Sequence, residues 1–353
     1  MELGSEYNLS LEELTLVEDN IFNYLSEYKN CFYFDSGRSS LKYIVSQLVE
    51  YKKVLLPEFI CESVSRCFIK SEIIYYRIKD DFTVDIDDLQ KKVGNEQTVI
   101  FLMHYFGTLQ PVGVLENIRF LADKSNSIII EDTTHSIFTK KQTIGDYMIC
   151  SLRKWLPIAN GGVLYYNQDK KIIKEPKYQK STDNMRYYGM ILKELFLKKK
   201  IDYNREYRAI FLECENNLDC QKDIYLLSDL SKFIASCVSI EQLIKVRKKN
   251  FEQLNNKMKE IGVNSAISIN LSDIPLVYLL RIKNRDKLRN YLTDKKIYCA
   301  VHWPFDNHKE DQRPLAKQNA EELISLPIDQ RYDEEYIQYM TNVLYNYGGD
   351  LLY

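Results

Sequence analysis

Apolar positions in this chain come as short unbroken runs, separated by stretches whose hydrophobic residues recur at helical spacing. The runs at 31–34, 53–57 and 72–76 have strand length, and Pro57 stops the second. Residues 98–103 and 127–130, apolar at successive positions from Val99 and from Ile128, predict strands buried on both faces. Between them, 114–124 has helical period, and residues 11–30 predict an amphipathic helix ahead of the first strand. A turn at Ser36-Gly37-Arg38-Ser39-Ser40 leads into helical spacing from Leu41, and another helix is expected from near Glu62. Buried strands alternating with helices imply an α/β fold, with a mostly parallel mixed sheet covered on both faces.

The pattern changes after about residue 167. Residues 168–235 are rich in lysine, tyrosine and asparagine and predict a helical excursion that includes 190–198. A long helix follows near 239–259. The tail alternates again, with a strand at 276–281, a helix at 285–293, a strand at 297–301 and a closing helix at 333–347. The expected division is an N-terminal helical segment 1–30, a large α/β domain 31–240 and a small α+β C-terminal domain 241–353.

Composition narrows the function classes. Hydrophobic residues at 45% allow a sizeable core, and a net charge of −2 gives no reason to expect nucleic acid or an anionic membrane as partner. Lys198-Lys199-Lys200 reads as a solvated helix end. No apolar stretch reaches the roughly 20 residues needed to cross a bilayer, and residues 1–10 lack a signal-peptide core. The eight cysteines are dispersed, without C-x-x-C spacing, so neither a disulfide framework nor a metal site is expected. Together these features imply reduced thiols and a cytoplasmic setting.

Ligands of such sheets gather beyond the carboxyl ends of the strands, and there the candidate chemistry lies. Glycine, hydroxyls and a helix start at Gly37, Arg38 and Ser39 suit a phosphate group. Asp132 ends a buried strand, His135 follows it, and Phe59 lies just past Pro57, placed to stack on a flat ring. Ser151 and Lys154 precede Gly161-Gly162 in a chain otherwise poor in glycine. A lysine able to hold an aldehyde as a Schiff base, together with a carboxylate able to keep a pyridine nitrogen protonated, is what pyridoxal phosphate requires.

These residues resemble the DegT/StrS-type sugar aminotransferases, fold type I pyridoxal phosphate enzymes. The resemblance runs through Ser36-Gly37-Arg38-Ser39-Ser40-Leu41, Leu56-Pro57-Glu58-Phe59, Ile130-Glu131-Asp132-Thr133-Thr134-His135, Gly145-Asp146, Ser151 to Gly162 and Leu326-Pro327-Ile328. It implies Lys154 as the Schiff-base lysine, Asp132 at the pyridinium nitrogen and His135 by the phenolic oxygen. Gly37, Arg38, Ser39 and Ser151 would surround the phosphate, with Phe59 on the ring. It further implies a homodimer with a shared active site, and places His302 and Trp303, in His302-Trp303-Pro304, on the substrate side. The chain departs from the family pattern in three ways. Arg38 stands where threonine is common, only two residues separate Ser151 from Lys154, and the asparagine-tyrosine-arginine motif is absent between Asp219 and Gln242.

The resulting expectation is transfer of an amino group from an amino acid, glutamate foremost, to a keto sugar or related metabolite of surface-polysaccharide or secondary-metabolite biosynthesis. The alternatives are a lyase or dehydratase on the same fold, against which Lys154 argues because related dehydratases carry histidine there, and a non-catalytic dimeric relative.

Overall fold

The computed structural model describes residues 2–48, 50–139, 143–166, 174–182, 184–303 and 313–348. Pro304 lies outside the described residues. In chain order the strands are β1 (Leu3–Gly4), β2 (Asn30–Phe34), β3 (Lys53–Pro57), β4 (Glu72–Tyr76), β5 (Val99–Met103), β6 (Ile128–Asp132), β7 (Tyr147–Ser151), β8 (Gly162–Tyr166), β9 (Tyr278–Arg281), β10 (Ile297–Tyr298) and β11 (Leu323–Leu326). The chain divides into two compact units, neither continuous in sequence. One comprises Met1–Ser5, Glu50–Asp146 and Gln242–Tyr353; the other comprises Glu6–Val49 and Tyr147–Glu241.

In the first unit, four strands of the large sheet lie in the order β6-β5-β3-β4, every pairing parallel. All residues of β5 and β6 are buried, the apolar run of β5 and Ile128–Ile130 of β6 as expected, and with them the acids Glu131 and Asp132. Helix Val112–Lys124 connects β5 to β6 and buries Leu115, Ile118, Leu121 and Ala122, a stripe along one face. The C-terminal part of this unit adds the antiparallel pair β9–β11 and the short parallel pair β1–β10. Its core gathers Leu254, Met258, Tyr278, Leu288, Ile324, Met340 and Leu344. Helices Arg285–Asp294 and Glu334–Tyr347 fall where the periodicity places them.

In the second unit the strand order is β2-β8-β7, and both pairings are antiparallel. Helix Gly37–Gln47 follows β2, and the helical excursion resolves into Met185–Leu197, Asn204–Cys220 and Asp229–Ser236. The molecule is thus α/β, with a large, mostly parallel mixed sheet.

One expected helix is replaced by turns. Residues 11–30 hold only a 3-10 turn at Leu11–Glu13 and one helical turn at Ile21–Tyr24. Side chains compete with helix there: Asn20 Oδ1 accepts from the amides of Phe22 and Asn23, and its Nδ2 donates to Val17 O. The helix expected from near Glu62 begins there, as Glu62–Ser65, and continues as a 3-10 turn at Arg66–Phe68. The strand expected at 297–301 shortens to Ile297–Tyr298. No disulfide joins the cysteines, and among the described residues no helix is long and apolar enough to cross a membrane.

Candidate active site

In the second unit, Ser36 caps helix Gly37–Gln47: its Oγ accepts from Ser39 N at 3.1 Å. Capping leaves other first-turn amides without helical partners, and the positive end of the helix dipole favours an anion at this end. Two glycines let neighbouring chain pass close. A Cβ on Gly37 would meet Ser151 Cβ at 3.1 Å, and one on Gly162 would meet Ser36 O at 2.2 Å. The glycine pair is stitched in place, since Gly161 N donates to Asp35 O at 2.6 Å and Leu152 N donates to Gly161 O at 3.0 Å. Gly37, Ser39 and Ser151 therefore meet in one cup. Arg38 is engaged elsewhere: Nη1 donates to Leu218 O at 2.8 Å and Nη2 pairs with Asp219 at 2.7 Å.

Lys154 ends the 3-10 turn Leu152–Lys154, which follows directly from Ser151 at the end of β7. Leu152, Trp155 and Leu156 are fully buried and anchor the turn, while Lys154 itself is exposed. Among the described residues its amine makes no ion pair or hydrogen bond. Beside it Arg153 bonds Glu215 at 2.8 Å, and Arg186 reaches the same carboxylate. Burial alone would raise the Glu215 pKa, but Arg153 and Arg186 outweigh it and hold the group at about 2.

The first unit holds the remaining candidates. Asp132 is buried at the carboxyl end of β6, and its Oδ1 accepts from Thr134 N at 2.8 Å. Burial pushes its pKa up. Phe59, His135, His302 and Trp303 converge into an aromatic cluster. Trp303 lies edge-on to Phe59 with centroids 4.7 Å apart and stacks on His135 at 9°. His302 meets His135 edge-on at 5.3 Å, and its Nδ1 lies 3.1 Å from Ser325 Oγ. Trp303 has a left-handed backbone, φ 51°, sparsely populated for a bulky residue.

Strand β6 is held from behind by a fully buried pair. His104 Nδ1 accepts from Gln110 N at 3.0 Å, so Nε2 carries the proton and donates to Glu131 Oε1 at 2.8 Å. Glu131 Oε2 accepts from Ile144 N at 2.9 Å and Gly145 N at 2.7 Å. Neither His104 nor the supporting aromatics Tyr105 and Phe106 follow from the sequence reading. Tyr105 stacks near Phe59 and its hydroxyl donates to Phe59 O at 2.8 Å. Their signal was position: they follow the carboxyl end of β5, as Phe59 follows that of β3.

These residues fit pyridoxal phosphate. A glycine-lined cup at a helix start suits its phosphate, and an exposed amine one turn from Ser151 suits its aldehyde. A buried carboxylate whose pKa burial raises suits the charged N–H that a pyridinium would bring.

The fold is that of the fold type I pyridoxal phosphate enzymes. The model of the DegT/DnrJ/EryC1/StrS aminotransferase family matches residues 22–197 and 232–345, and the chain belongs to that family. It is 18% identical over 283 residues to the dTDP-3-amino-3,6-dideoxy-alpha-D-galactopyranose transaminase of Aneurinibacillus thermoaerophilus, covering 76% of this chain and 70% of the relative. Among solved structures, a Streptococcus pneumoniae protein in its PLP form superposes with TM-score 0.65 at 13% identity, covering 99% of this chain and 94% of its own. S. venezuelae DesV, in complex with a ketimine intermediate, gives 0.64 at 16% identity, covering 94% and 90%.

Proposed function

We propose that this chain is a pyridoxal phosphate-dependent aminotransferase that moves an amino group from an amino acid, glutamate foremost, to the keto group of a sugar. The observation that carries the reading is local. Ser151 of the phosphate cup and Lys154 share one strand-turn, so an anion anchor and a reactive amine are one turn apart. When bound, the cofactor supplies the electron sink that makes a donor Cα–H bond breakable.

The chain's own residues supply the rest. Gly37, Arg38, Ser39 and Ser151 would hold the phosphate, Arg38 through its backbone amide because its guanidinium is occupied. Lys154 Nζ would hold the cofactor covalently and, once released, move the proton between carbons. Asp132 would keep the ring nitrogen protonated, His135 would orient by the phenolic oxygen, and Phe59 would cover the ring face. His302 and Trp303 are the proposed substrate contacts. A homodimer sharing its active site, and a cytoplasmic setting, complete the proposal. The dTDP-amino-sugar transaminase similarity supports a sugar acceptor.

The test is spectroscopic and kinetic. Purified protein given the cofactor should show its bound visible band, and that band should bleach with an amino donor and return with a keto sugar. Lys154→Ala should lose the lysine-linked band and at least ~10³-fold in turnover. A wild type that never acquires the band overturns the proposal.

A further inference from the structure

The second unit contains a cavity of about 580 Å³ whose lining includes Asp35, Arg153, Asn160, Ser181, Arg186 and Tyr225. That volume is within the range of small-molecule sites. Its wall is braced from helix Gly37–Gln47. Arg38 and Lys42, one turn apart on helix Gly37–Gln47, grip the end of helix Asn204–Cys220, with Lys42 Nζ donating to Gln221 O at 2.6 Å. Cations on a helix C-terminus satisfy its last carbonyls. Arg38 therefore has a structural employment: with Lys42 it holds the helix end whose Leu218 and Gln221 line this cavity.

The polar groups inside point to a neutral ligand. Both arginines are already matched by acid, because Glu215 takes Arg153 and Arg186, and Glu6 pairs with Arg186 Nη1 at 2.9 Å. Asp35 accepts from Gln221 Nε2 at 2.8 Å and from Ser36 Oγ at 3.2 Å. With both arginines matched, and Lys222 accompanied in the lining by Asp223, the cavity offers little uncompensated positive field to draw in an anion. A buried amide donor is unspent. Asn160 is 8% exposed and its Oδ1 accepts from Ser228 N at 3.2 Å, while its Nδ2 is buried without a partner among the described residues. A buried amide N–H without an acceptor is costly until something supplies one.

We propose that this cavity binds the hydroxylated ring of the amino acceptor, with Asn160 Nδ2 donating to a ring hydroxyl, an Asp35 oxygen accepting from another and Tyr225 offering an apolar face. The proposal rests on the aminotransferase reading and adds to it where the sugar sits and that it is read as a neutral ring.

Saturation-transfer NMR on the full chain, loaded with cofactor, tests it using methyl β-D-glucopyranoside and methyl α-D-galactopyranoside as probes, with glutarate and inorganic phosphate as competitors. Saturation should reach the ring protons of at least one glycoside. It should fall at least fivefold in Asn160→Asp, which keeps the oxygen for Ser228 and removes the donor, and in Ser181→Phe, which fills the space. Transfer to neither glycoside, transfer unchanged in both variants, or displacement by glutarate or phosphate would overturn the assignment. The cofactor band recorded on the same samples keeps the two readings apart. A banded protein that ignores glycosides sinks the sugar cavity alone, whereas glycoside binding without any band keeps the cavity and sinks the aminotransferase.

Discussion

Asp132 illustrates how one side chain can be costly in isolation and useful in company. Burial at the end of β6 works against its charge, and Thr134 meets it with both its backbone N–H, on Oδ1, and its side chain. A protonated ring nitrogen would repay that cost, which is the physical sense of an acid in this place. Asp132→Asn keeps an oxygen for Thr134 but cannot carry the negative charge. Its kcat/KM should fall by roughly 10²–10³-fold, with circular dichroism unchanged; steady-state kinetics at saturating cofactor would show it, and an unimpaired variant would remove Asp132 from the chemistry. Trp303 presents the opposite case, an aromatic in a left-handed backbone that covers His135.

At the scale of elements, two close approaches should dominate the response to mutation. Gly162 lets β8 pass Ser36, where an added Cβ would be 2.2 Å from backbone. Gly162→Ala should therefore cost about 1–3 kcal/mol by overpacking, measured by denaturant unfolding. Glu131 is the deeper tie, because it gathers His104, Ile144 and Gly145 around one buried carboxylate. Glu131→Ala should cost about 3–5 kcal/mol, since it strands buried donors; a loss under 1 kcal/mol in the same assay would contradict that account. Legibility in the sequence follows the same division between local and distant. Strands β3 and β4 are readable to the residue because their apolar runs end at a proline or a polar turn. Helix Asn204–Cys220 is not, since only Tyr207, Phe211 and Cys214 bury and the stripe is too thin to stand out. Ser151 and Lys154 are readable because their relation is local. The Arg153–Glu215 pair is not, because 62 residues separate its members and only the fold joins them. Residues 11–30 mislead because Asn20 prefers to cap, which periodicity does not register.

Across the whole molecule, charge pairing sets the response to acid. Glu215 has its ordinary value of 4.5 lowered to about 2 in the fold. A depressed carboxylate contributes stability that is full above its unfolded pKa and drains away as pH falls through the folded one. Between about pH 4.5 and 2 the wild type should thus lose melting temperature faster than Glu215→Gln, which has no such proton to gain. Thermal melts across that window check it, and parallel curves would refute the pairing. The proposed dimer has its own test. Light scattering should give twice the chain mass, and a single-chain mass would overturn the dimer. The discontinuous make-up of the units also has an outcome during synthesis. Residues 50–146 leave the ribosome long before 242–353, the stretch with which they form one unit, and β1 must wait for β10, its sheet partner near the other end of the chain. The segments 6–49 and 147–241 are complete first, so a nascent chain halted after 241 would carry one finished body and one stretch of apolar strands still lacking the rest of its unit, the stage at which this protein most needs a chaperone.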